Sequence, residues 1–189
     1  MVTWAYAGVE MEPQAMNRIS GFTLIETMMV VTVMAIVLTT GIPSLRAAIR
    51  SSYAVTHTNA FLSSLSLARN EAIKRGQRVV VCKSLSNICQ NETFGWEQGW
   101  MVFVDSNNNA SLDEDELPLY AHESLGGGNT LQGNQNVRDY ISYSPEGVAK
   151  MKSGAFQAGT FTFGLCVGHK QNTIVISKTG RARVQKIAC

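Results

Sequence analysis

The chain has 189 residues, 45% of them hydrophobic and 16% charged, with a formal charge of +2 and a mean hydropathy of +0.01. That length holds one ordinary globular domain plus one membrane segment, and the small net charge excludes a uniformly basic chain. Four cysteines, Cys82, Cys89, Cys166 and Cys189, lack the paired C-x-x-C spacing of zinc sites, so in an exported domain they read as disulfides and no metal is expected.

A secretory signal runs from a basic start through an apolar core to a small-residue cleavage site. Here the order is inverted: Gly21 precedes the apolar run, so cleavage after it leaves the run on the mature chain. Residues 1–21 read as a leader, in which Arg18 is the only base, Glu10 and Glu12 fit badly, and Met16 opens a shorter alternative start, "MNRISG". Thr27 to Leu45 is 19 residues without a charge, about the length that crosses a bilayer as a helix. Residues 22–45 are therefore a transmembrane and assembly helix, and residues 46–189 the exported domain. Glu26 is the anomaly, because a charge inside such a segment costs about 2.5–3.5 kcal/mol on insertion scales. A cationic partner at close range offsets that cost.

The stretch "SGFTLIETMMVVTVMAIVLTTGIP", residues 20–43, resembles the processing site and N-terminal helix of type IV pilins and type II secretion pseudopilins. The resemblance implies that a prepilin peptidase cuts between Gly21 and Phe22 and methylates Phe22, leaving Glu26 as the fifth residue of the mature chain. It further implies assembly with other pilin subunits, in which one subunit's Glu26 meets the α-amino group of a neighbour's Phe22 and sets the register. The chain would start as a single-pass protein of the bacterial inner membrane with a periplasmic domain, then join a type IV pilus at the cell surface.

Past Pro43 the helical pattern resumes, with Leu45, Ile49, Val55, Leu62, Leu65, Ala68 and Ala72 near one stripe. Lys74, Arg75 and Gly76 suit a helix end. From Gln77 the pattern changes to short runs divided by Gly, Asn and Ser: "RVVVCKS", "GWMVFVD", "LPLYAHE", "VRDYISYS", "GTFTFGLC", "NTIVISK" and "RARVQKI" read as strands. One long helix followed by strands argues for an α+β fold with the helix laid on antiparallel sheets. "WEQGWMVFVDSNNNASLDEDELPLY" and "TIVISKTGRARV" resemble the FimT/GspH group of minor pilins. The expected fold is thus type IV pilin-like, with a helix that is half transmembrane and half amphipathic.

Asp105, Asn107, Asn109, Ser111, Asp113 and Glu116 fall at positions 1, 3, 5, 7, 9 and 12 of a calcium-loop template, but Ala110 replaces the Gly of the sharp bend. The favoured reading is an Asn-rich hairpin tip with solvated carboxylates. His57, His122 and His169 belong to no nucleophile, metal or cofactor motif, so a non-enzyme without cofactors is expected.

Charge is polarised along the chain. From Ser84 to Glu146 ten acids face one base, Arg138; from Gly147 to Cys189 there are no acids and seven bases, Lys150, Lys152, Lys170, Lys178, Arg181, Arg183 and Lys186. A basic segment without acids is the footprint of a polyanion binder or the complement of an acidic neighbour. "TGRAR" resembles the C-terminal Gly-Arg-x-Arg signature of FimT-type pilins, which implies DNA binding in natural transformation through Lys178, Gly180, Arg181, Arg183 and Lys186. Gly180 permits a tight turn, and Arg181 and Arg183, two apart on an extended strand, point to one face. Lys178 and Lys186 are placed in the same neighbourhood. Binding should be sequence-tolerant, since no base-reading element is evident. Of three cysteine pairings, Cys82–Cys89 closes a short loop and Cys166–Cys189 pins the C-terminal strand. The alternative function is that of a GspH-like pseudopilin of a type II secretion system, purely structural.

Overall fold

The computed structural model describes residues 21–86, 88–89, 94–126, 128–164, 166 and 170–189. The expected leader, with Met16 and Arg18, and His169 lie outside the described residues. The chain divides into two units, Met1–Pro43 and Ser44–Cys189, and one helix, α1 (Leu24–Arg75), contributes to both.

In the first unit α1 opens on Thr23, whose hydroxyl accepts the N–H of Glu26 at 3.3 Å. Thr-x-x-Glu has the spacing of a capping box, and a carboxylate in the first turn suits the positive end of the helix dipole. Every side chain from Gly21 to Pro43 is exposed, and the helix is long and apolar enough to cross a membrane. The hydroxyls of Thr27, Thr32, Thr39 and Thr40 donate to the carbonyls of Thr23, Met28, Ala35 and Ile36. These four hydroxyls are thereby satisfied within the helix, as a segment without water requires.

In the second unit α1 buries Ala54, Thr58, Phe61, Leu65, Ala68 and Ala72, at alternating spacings of four and three. The stripe differs at its start from the one expected: Leu45, Ile49 and Val55 are exposed, and Ala54, Thr58 and Phe61 face inward. Every described residue of the helix before Ser51 is exposed, so nothing there selects a buried face. Gly76, at φ +66°, closes the helix with its N–H on the carbonyl of Ala72 at 3.0 Å.

Among the described residues nine strands follow: β1 (Arg78–Leu85), β2 (Ile88–Cys89), β3 (Trp100–Asp105), β4 (Pro118–His122), β5 (Leu131–Gly133), β6 (Tyr140–Tyr143), β7 (Gly159–Phe163), β8 (Lys170–Ile176) and β9 (Ala182–Ala188). All pairings are antiparallel. The first sheet runs β2-β1-β3-β4 with β6 on β1, and the second runs β5-β7-β8-β9. Strands β2 and β5 are too short to carry a pattern of their own and are recruited by their partners. "VRDYISYS" divides into a 3-10 turn ending at Val137 and the strand β6.

Phe61 is fully buried at the centre, with its ring edge-on to Trp96, Trp100 and Phe161 at centroid distances of 5.4, 5.0 and 4.6 Å. Trp100 Nε1 donates to Ser64 Oγ at 2.8 Å, tying α1 to β3. The first sheet is covered on its other face as well: Val80, Cys82, Met101 and Phe103 pack beneath Ala110 and Leu112 of the acidic loop. Disulfides join Cys82 to Cys89 and Cys166 to Cys189.

Candidate nucleic-acid interface

The basic C-terminal segment is built on the β8–β9 hairpin. Ser177 N–H donates to the carbonyl of Arg181 at 3.0 Å, and Gly180 N–H returns to the carbonyl of Ser177 at 2.9 Å. Gly180 sits at φ +77°, where a side chain is strained, and a Cβ there would lie 2.6 Å from the carbonyl oxygen of Gly147. The turn is thus held against a second turn, at Gly147, by a backbone approach that only glycine permits.

Arg69 of α1 braces both turns: its Nε donates to the carbonyl of Gly147 at 2.9 Å and its Nη2 to that of Thr179 at 3.3 Å. Sequence reasoning missed this residue. Its position one residue from the buried Ala68 was a weak signal, and its partners lie about eighty and a hundred residues away.

In the β8–β9 ladder Arg183 stands opposite Val175, and Lys186 opposite Asn172. Directly opposed residues share a face of the sheet, and successive residues alternate. Asn172, Ile174 and Ile176 face α1; Asn172 Nδ2 donates to Thr58 Oγ1 at 3.0 Å. Arg181 and Arg183 therefore lie together on the outer face, with Lys178 at the turn. Lys186, expected beside them, is corrected: it is odd in step and stands on the α1 side of the sheet. Arg181, Arg183 and Lys178 are exposed, and no ion pair engages them among the described residues. The acid on the neighbouring turn, Glu146, is occupied: the Ser144 hydroxyl, its own backbone N–H and Lys150 hold its carboxyl below the usual range. Its ion pair with Lys150 spans 3.4 Å.

The acidic loop differs from the solvated tip expected. Asp105 and Glu116 are buried, Asp105 accepting the N–H groups of Asn109 and Ala110, both at 3.0 Å, and Glu116 those of Ser106 and Asp113 at 2.8 and 3.2 Å. Ala110, at φ +59°, uses its methyl to cover the first sheet, which explains why the position is not glycine. Among the described residues no group of three or more His, Cys, Asp or Glu side chains is arranged to hold a metal.

His122 lies flat on Trp100 at 4.0 Å, and His57 stacks on Tyr53 at 5.9 Å. Burial, and secondarily His122, holds the His57 imidazole below its ordinary value of 6.5. Glu26, Gly21 and Phe22 lie in the first unit, exposed.

A helix laid on antiparallel sheets, preceded by the Gly-Phe-Thr-Leu-Ile-Glu junction, defines a type IV pilin-like protein, a minor pilin or pseudopilin of a type IV pilus or type II secretion system. The chain belongs to the GspH family: residues 57–180 match the family described as Type II transport protein GspH, and residues 16–42 match the prokaryotic N-terminal methylation motif. Type IV minor pilin FimU of Pseudomonas aeruginosa has a similar structure, with a TM-score of 0.52 at 16% identity over 71% of this chain and 90% of that one. The minor pseudopilin EpsH of the Vibrio cholerae type 2 secretion system aligns at a TM-score of 0.43 and 13% identity, over 71% of this chain and 96% of that one. No curated protein sequence matches. Membership implies association with other pilin subunits and N-methylation at the processed terminus. The apolar helix is consistent with anchoring in the inner membrane before assembly. The family match ends at Gly180, so Arg181 and Arg183 lie beyond it.

Proposed function

We propose that this chain is a minor pilin of a type IV pilus that captures DNA for uptake in natural transformation, through Arg181 and Arg183 with Lys178 beside them. The observation that carries the reading is the pair of exposed arginines, without an ion pair among the described residues and on one face, held by a turn braced through Gly180, Gly147 and Arg69. The planar guanidinium fork matches phosphate oxygens, and nothing near it reads base edges, so capture is sequence-tolerant. A prepilin peptidase cleaves between Gly21 and Phe22, and the periplasmic domain reaches the cell surface as part of the pilus. Glu26 is then satisfied by the α-amino group of a neighbour's Phe22.

Gel retardation with duplexes of unrelated sequence tests the reading. Affinity falls with the logarithm of salt, at a slope of about −0.9 per phosphate neutralised. Arg181→Gln with Arg183→Gln weakens binding equally for all duplexes and makes the slope shallower by about two. Lys178→Gln has a smaller effect and Lys186→Gln none, because Lys186 is on the other face. If the double variant binds as the parent does, the protein is a structural pseudopilin of the secretion-system kind.

A further inference from the structure

A second set of cations lies at the other end of the domain, on the other face. One and two turns N-terminal to Ala54, the residue of α1 that meets the second sheet, the helix carries Arg50 and Arg46. Residues four apart lie on one side of a helix. Asn172, which donates to the carbonyl of Ala54 at 3.4 Å, has Lys186 directly opposite and Lys170 two residues before it, and all three share the α1 side. Lys170 and Lys186 thus flank the residue that meets α1 at Ala54, one helical turn from Arg50. The DNA turn, by contrast, is beside Arg69, about 28 Å from Arg50 along the helix.

All four bases are exposed, and no ion pair engages them among the described residues. No Asp or Glu occurs from Thr27 to Asn70 or from Gly147 to Cys189, so neither segment supplies an internal counter-charge. Arg46 directly follows the last residue of the uncharged run, which places this collar by chain continuity where an apolar helix leaves the bilayer.

We propose that Arg46, Arg50, Lys170 and Lys186 form a basic collar that binds the phosphates of an anionic lipid surface before assembly. Basic residues beside a membrane segment are attracted to anionic headgroups, and the attraction decays within a Debye length. The collar is at the membrane end of the domain and the DNA turn is remote from it, which favours lipid over nucleic acid as its partner. It rests on the reading of Thr27–Leu45 as a membrane segment.

The full-length chain, extracted in mild detergent, is equilibrated with equal amounts of phosphatidylglycerol and phosphatidylcholine, and the co-purified lipid is quantified. The parent chain retains phosphatidylglycerol in about fivefold preference. Substituting all four collar residues by Gln brings the ratio to about one, whereas Arg46→Lys with Arg50→Lys keeps it, as does Arg181→Gln with Arg183→Gln. An unchanged preference in the fourfold Gln variant overturns the collar, as does loss of DNA retardation in that variant with lipid preference intact. Alkaline carbonate extraction of membranes separates the two readings. Resistance without lipid preference overturns the collar alone, and release of the chain overturns the membrane segment and the collar with it.

Discussion

Replacing Gly180 by Ala probes the turn that presents the arginines. Two costs add. A side chain at φ +77° sits in the left-handed region, which costs about 1–2 kcal/mol. The new Cβ would also stand 2.6 Å from the carbonyl oxygen of Gly147 and 3.0 Å from the nitrogen of Ala149, both backbone atoms that Arg69 and the Ser144 turn hold in place. Forced displacement of packed backbone adds about 1–3 kcal/mol. The total of about 3 kcal/mol lowers the melting temperature by about 6–12 °C in a domain of this size. Gly154→Ala is the control: its φ is +86° but nothing lies within 4 Å, so only the backbone cost applies and the shift is about 3–6 °C. The assay is thermal unfolding of the full chain in detergent, disulfides intact, followed by near-ultraviolet circular dichroism. DNA affinity of Gly180→Ala also falls below the melting range, because the turn must move. A shift for Gly180→Ala no larger than for Gly154→Ala would refute the claim that the Gly147 turn forms a rigid wall.

Phe61→Ala removes the ring that four aromatic neighbours enclose and lowers unfolding free energy by about 3–5 kcal/mol in urea titration; a loss under about 1 kcal/mol contradicts the central placement of this ring. Because the folded state depresses the His57 pKa, the unfolded chain takes up the proton first. Stability is therefore full above the ordinary value of 6.5 and declines as pH falls below it, down to the folded-state pKa. Denaturant midpoints for His57→Gln should lose that part of the pH dependence, and identical profiles for parent and variant reject it. Glu26→Ala leaves membrane insertion intact, since Thr23 still caps the helix, yet reduces recovery in sheared pili; undiminished recovery rejects the register role.

Much of the fold was legible because its signals are local. The uncharged run from Thr27 to Leu45, the change from helical to alternating periodicity at Gln77, and Gly76 and Gly180 as turn formers need only neighbouring residues to be read. The candidate site was half legible. Strand alternation places Arg181 and Arg183 on one side wherever the strand lies, because the side-chain period of two is a property of the backbone. The same rule, carried through the ladder, puts Lys186 on the opposite face.

Tertiary structure alone decided the rest. Whether the inward stripe of α1 started at Leu45 or Ala54 depended on where the sheet meets the helix, and that contact is made by Asn172, more than a hundred residues away. Asp105 and Glu116 read as solvated acids, but the loop folds back on the first sheet and turns its own N–H groups onto them. Arg69 gained its role only when two turns distant in sequence were brought within reach of one guanidinium. The sequence by itself determined the periodicities, the helix and strand order and the separation of charge along the chain. Which cations stand together was decided by register and by helix–sheet contact, since those are set by the packing of side chains remote from one another in the chain.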